Sequence, residues 1–260
     1  MSKRETKSPI KDLPLRQPGQ SSREAFDQLL DDRLLFPIMF AGGFCLIALN
    51  EWWAVWFKVP RSPWLWTVVA TIITIGAGRF ILKNWGQFRA RRLGITGEEA
   101  VGQYLEKHLR STGFQVLHDI PANGFNLDHV VIGPTGVFVI ETKTHSKPAK
   151  GVSAVRYDGE TVSVNGFKPD RDPIVQAKAE ASWLCDLLER SSGRKVFVQP
   201  VVLYPGWFVE PQPPNVYVWV LNEKALPTFI GNAKQSRLSS EDIHILAFHL
   251  AQYVISIGKQ

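Results

Sequence analysis

The chain has 260 residues, 45% of them hydrophobic, a formal net charge of +6 and two cysteines, Cys45 and Cys185. That length holds one well-buried domain plus appendages; two cysteines exclude a disulfide framework, and with no Cys/His cluster at zinc spacing any metal should be a hard, oxygen-liganded ion in a reducing compartment. The charge is no nucleic-acid signature in itself, because residues 79–95 carry 5 basic and no acidic side chains while 96–260 carry 16 and 17.

Residues 1–33 are polar, with Pro9, Pro14 and Pro18, and predict a flexible cytoplasmic tail with a short helix at Arg23–Arg33. Leu34–Leu49 is an uncharged run extended by Trp52, Trp53, Val55, Trp56 and Phe57, and Pro63–Gly78 is a second, continued by Phe80, Ile81 and Leu82. Each reaches the ~20 residues of a transmembrane helix. The reading is spans at 34–57 and 63–83 crossing the lipid bilayer of the cell membrane, a short external loop at 58–62 and a basic linker at 84–95. Trp52, Trp53, Trp56, Trp64 and Trp66 form an aromatic belt, and Ala70, Thr74 and Gly78 a close-packing stripe expected against Gly42 or Gly43. The polar stretch ahead of the first run argues against a cleaved signal peptide. Arg16, Arg23 and Arg33 precede the first span and Arg79, Lys83, Arg89, Arg91 and Arg92 follow the second, against only Lys58 and Arg61 between them. Both termini and the following domain are therefore expected on the cytoplasmic side.

From Thr96 the pattern is α/β. A helix is predicted over Thr96–Leu109, with Val101, Tyr104, Leu105 and Leu109 at helical spacing, opened by a capping box in which Thr96 caps and Glu99 reaches back. A strand follows at Phe114–Ile120, then a hairpin over 126–143, a second hairpin at Val152–Tyr157 and Thr161–Val164, and a helix from Asp172-Pro173 to Arg190. Strands at Lys195–Leu203 and Val216–Leu221 and a helix at Ser240–Val254 complete a mixed β-sheet flanked by helices, a domain over 96–225 with 226–260 packed on it as a helical segment.

The central hairpin carries the chemistry. Both arms are rich in Val, Ile and Phe around Gly133-Pro134-Thr135-Gly136, and a two-residue turn makes paired positions sum to 269, setting Asp128 across from Glu141. Such neighbours have Cβ atoms roughly 4.5–5.5 Å apart, where like charges repel, and a divalent cation is the natural occupant. A three-residue loop bulged at Gly136 would shift this pairing by one. Lys143, two residues after Glu141, shares its face. His129 should point to the opposite face from Asp128, whereas His145 lies on the Glu141 side, where it could contact substrate. The aromatics of 216–220 read as sheet core.

Asp128-x12-Glu141-x-Lys143 on a hairpin resembles the PD-(D/E)xK phosphodiesterase superfamily, with Leu127 where Pro is common. The run Asp128-His129-Val130-Val131-Ile132-Gly133-Pro134-Thr135-Gly136-Val137-Phe138-Val139-Ile140-Glu141-Thr142-Lys143 resembles the central motif of the nuclease-related domain, or NERD, family, and Gly94-x-x-Gly97-Glu98 its opening motif. The resemblance implies a restriction-endonuclease-like fold and a Mg2+-dependent nuclease, Mn2+ being the alternative ion, acting on nucleic acid, expected to be DNA. Asp128, Glu141 and Glu98 would hold the metal, Lys143 would stabilise the transition state, and Gln176, in the first turn of the Asp172-Pro173 helix, would support substrate or water. The rival reading is a non-catalytic, membrane-tethered binding or scaffold module that keeps the fold; two carboxylates placed to repel each other favour catalysis over it.

Overall fold

The computed structural model describes residues 15–58, 62–148, 153–234 and 236–257. The expectations for residues 1–14, for Pro60 and Arg61, and for Val152 lie outside the described residues. The chain divides into two compact units, Ser22–Arg92 on one hand, and residues up to Ser21 together with those from Leu93 onward on the other.

In the first unit, α1 (Gln20–Leu30) runs through a π-helical turn at Asp31–Leu35 into α2 (Phe36–Trp56), and α3 begins at Pro63. Pro37 has no N–H to donate one turn back, and the opened turn just before it absorbs the missing bond. Two helical stretches, Gln20–Trp56 and Pro63–Thr112, are long and apolar enough to cross a membrane. Their large side chains point outward, Phe36, Met39, Trp53, Trp56 and Leu82 all being exposed. Within this hairpin Trp52 Nε1 donates to Thr67 Oγ1 at 2.9 Å, Trp52 packs edge-on against Trp64, and Cys45 Sγ meets Thr74 Oγ1 at 3.5 Å. The small residues buried there are Ala41, Ala48 and Ala70. Of the expected stripe, Ala70 and Thr74 lie in this seam, whereas Gly78 and its expected partners Gly42 and Gly43 face open space.

In the second unit, a five-stranded sheet has the order β1 (Gln115–Pro121), β2 (Asn126–Gly133), β3 (Gly136–Thr142), β6 (Val198–Leu203), β8 (Trp219–Leu221). The first three strands are antiparallel, and β3, β6 and β8 run parallel. A smaller sheet of β4 (Ala154–Tyr157), β5 (Val162–Val164) and β7 (Phe208–Val209) stands apart. The helices are the end of α3 (Pro63–Leu109), α4 (Pro173–Ser192), α5 (Leu226–Gly231) and α6 (Ser240–Ile257). Strand alternation sends Val130, Ile132, Val137 and Val139 to one face, where Leu184 and Leu188 of α4 and Leu246 and Leu250 of α6 cover them. Val131, Phe138 and Ile140 go to the other, beneath Val101 and Leu105 of α3 and Leu226 and Ile230 of α5. The sheet is thus mixed and covered on both faces, as its interleaved pattern predicts.

One local expectation fails. Thr96 lies inside α3, not ahead of a helix, so no capping box forms there. Gly94 and Gly97 sit within that helix without breaking it, and Gly97 has a packing reason: a Cβ there would collide with the Thr144 side chain.

Candidate active site

The β2–β3 hairpin turns through Pro134 and Thr135, and the pairs Ile132–Val137, Val130–Val139 and His129–Ile140 keep the sum of 269. The ladder stops at that last pair. One residue on, the Asp128 carboxylate takes the place of a backbone acceptor, Thr142 N–H donating to its Oδ2 at 2.7 Å. Asp128 and Glu141 therefore leave the sheet side by side on the face covered by α4.

Glu141 is 4% exposed. Its Oε1 accepts from Lys143 Nζ at 2.6 Å, and the same ammonium donates to Gln176 Oε1 at 2.8 Å. Gln176 is aimed by its helix: Asp172 caps α4 by accepting from Ile174 N–H and Val175 N–H, and Pro173 follows in the first turn. Those two amides are taken, so α4 offers the site a side chain at this end.

Glu180 is the residue that sequence reasoning missed. It lies one turn after Gln176, whose Nε2 donates to Glu180 Oε1 at 2.9 Å. It is 1% exposed, on the stripe of Ile174, Ala177, Ala181 and Leu184 that α4 buries. A carboxylate on a helix stripe whose other members are apolar and buried was itself a legible signal. Burial first, then the charge of Glu141 and a hydrogen bond to it, push its pKa up to about 10. The Glu180 carboxyl is thus held toward its neutral form beside Glu141. Asp128 is also pushed well up, by burial, then by Glu141 and Glu98, against the Thr142 N–H that lowers it. Tyr204, fully buried, shifts upward through burial and then through Asp172 and Glu141.

Glu98 thus lies close enough for its charge to act on Asp128, but the three expected metal ligands do not form a ready-made cage: among the described residues no three His, Cys, Asp or Glu side chains are grouped to hold an ion. Lys143 occupies one oxygen of Glu141 and Thr142 N–H one oxygen of Asp128. Glu141 Oε2 remains buried without a hydrogen-bond partner. Two adjacent carboxylates, one with an orphaned oxygen, suit Mg2+, which is held by one or two carboxylates with water and phosphate oxygens completing six positions.

The histidines separate as alternation predicts. His129 is fully buried on the α3 face, its Nδ1 2.9 Å from Nδ1 of His118, whose Nε2 lies 3.2 Å from Glu106 Oε1. Burial, then the neighbouring His118, lowers its pKa well below the usual range, and it takes no part in the Asp128 face. His145 stacks on Tyr204 at 5.9 Å and 15°, and its pKa is lowered by burial and then by Lys143. Trp219 packs in the core on Phe138, whereas Tyr217 is exposed.

No curated protein and no solved structure matches the chain. A family model does, and its span takes in every residue of this site from Glu98 to Tyr204: residues 93–205 match the model of NERD, the nuclease-related domain.

Proposed function

We propose that the protein is a membrane-anchored, Mg2+-dependent nuclease of restriction-endonuclease-like fold that hydrolyses phosphodiester bonds, with DNA as substrate, at the cytoplasmic face of the cell membrane. The observation that carries this reading is the convergence of Asp128, Glu141, Lys143 and Gln176 on one face of the sheet, with Lys143 held between Glu141 and Gln176. A divalent ion at Asp128 and Glu141, with the Thr142 carbonyl and Glu98 as further oxygen donors, would neutralise phosphate oxygens and acidify the attacking water. The protein's own groups do the rest. Gln176 fixes the Lys143 ammonium, which as a point charge stabilises the negative charge that builds on the phosphoryl oxygens. Glu180, held toward its neutral form beside Glu141, limits the negative charge of a site that must accept a phosphate. The two apolar helices tether this chemistry to the bilayer.

The test is a cleavage assay with the full chain in detergent micelles on linear, circular, single-stranded and branched DNA and on RNA, with Mg2+, Mn2+ or chelator. Divalent-dependent DNA cleavage that Asp128→Asn abolishes is expected. Intact divalent binding without cleavage of any substrate would leave a binding module in its place.

A further inference from the structure

The segment ahead of the first apolar helix is bonded to the domain that follows the second. Arg16 Nε lies 2.6 Å from Asp119 Oδ2, and the same oxygen accepts from the Ser21 N–H at 2.9 Å and from the Ser21 hydroxyl at 2.8 Å. Arg16 Nη2 donates to Ser21 Oγ at 2.7 Å, closing the clamp. Asp119 is 4% exposed, so these donors answer a buried charge.

Asp119 occupies a telling position in the register. β1 and β2 pair at His118–His129 and at Ile120–Leu127, leaving Asp119 across from Asp128 and unpaired. Its φ of +49° is a left-handed conformation that Asp tolerates better than most residues. It re-aims the carboxylate toward Arg16 and Ser21, as a bulge residue is re-aimed. Between the clamp residues, the strap lies directly on α3. A Cβ on Gly102 would collide with the Pro18 ring, and Gly19, buried at φ +68°, would bring a Cβ within 3.3 Å of Glu98 Oε2 and 3.5 Å of the Ile95 carbonyl.

We infer that residues 16–21 are part of the catalytic domain, a strap in which Arg16, Pro18 and Ser21 hold Gly19 as the wall behind the Glu98 carboxylate and so position Glu98 beside Asp128. The inference rests on the hydrolytic reading of that site. Arg16, Pro18, Gly19 and Ser21 act through Glu98 and touch no substrate.

The test compares the full chain in micelles with Arg16→Ala, which opens the clamp, and Gly102→Leu, which lifts Pro18 from the opposite side. Hydrogen exchange over 95–103 is expected to quicken in both. Mn2+ affinity and the Mg2+ concentration for half-maximal cleavage should each worsen about tenfold, the scale of losing an outer-shell partner, with the rate at saturating Mg2+ largely kept. Unchanged exchange in both variants overturns the strap. Quickened exchange with unaltered Mn2+ affinity and Mg2+ dependence overturns its role in placing Glu98. A wild type that binds Mn2+ but cleaves nothing overturns the hydrolytic reading alone, since exchange and Mn2+ affinity still decide the strap.

Discussion

Gln176 and Glu180, one turn apart on α4, are joined by a 2.9 Å hydrogen bond in which the Gln176 amide nitrogen donates. The direction of that bond is fixed from the other side, because the Gln176 oxygen already accepts from Lys143. A single amide therefore ties a cation and a buried acid into one array with Glu141, and its members should respond to substitution together.

The first expected outcome concerns pH. The folded pKa of Glu180, pushed up to about 10 from an ordinary 4.5, lies above the unfolded value. Its stabilising contribution is full below the unfolded pKa and is lost as pH rises through the folded one. Melting of the metal-free chain should fall between pH 6 and pH 9, and Glu180→Gln, which mimics the neutral acid, should fall less. Identical slopes would show Glu180 to be ionised.

Asp128→Asn should abolish cleavage and weaken Mn2+ binding in calorimetry while leaving the metal-free chain at least as stable. The amide oxygen can still accept from Thr142 N–H, and a like-charge neighbour of Glu141 is gone. A variant strongly destabilised yet active would make the pair structural.

Lys143→Ala should lower the cleavage rate by a factor on the order of 100 or more, about 3 kcal/mol, as removal of a key electrostatic group does. Divalent affinity should hold or rise, since the ammonium at 2.6 Å competes for Glu141. Loss of affinity without loss of rate at saturating metal would reverse the roles.

Glu98→Gln should reduce cleavage about a hundredfold or more with the fold intact. Thr96→Ala is the control: in the helix interior it should change stability by no more than about 0.5 kcal/mol, with Ala the better helix former. A large loss of melting temperature in Thr96→Ala would restore a capping role for Thr96.

A reporter fused after Lys83 should be cytoplasmic and one inserted near Pro60 external, as the Lys and Arg distribution requires. An external reporter after Lys83 would end the proposal of cytoplasmic DNA as substrate.

Much of the site was legible because its signals are local. The register follows from a two-residue turn, and the position of Gln176 from the Asp172-Pro173 cap. What was not legible depends on contacts distant in sequence. Thr96-Gly97-Glu98-Glu99 has the form of a helix start, yet it continues a helix begun at Pro63, and Gly97 is small for the sake of Thr144, 47 residues on. β7, two residues long, exists through its pairing with β4. The segment around Arg16 has the composition of a tail, and only a partner 103 residues away gives it a place. Glu180 differs, for its helical spacing already set it among buried positions and the charge there went unweighed.

The bond between Arg16 and Asp119 also sets a condition of parity on any membrane crossing between them. Whatever lies between two bonded residues must begin and end in the same aqueous compartment, so the chain crosses a bilayer an even number of times between them. Two crossings or none satisfy the bond; a single crossing, by either apolar helix alone, would pull Arg16 and Asp119 to opposite sides.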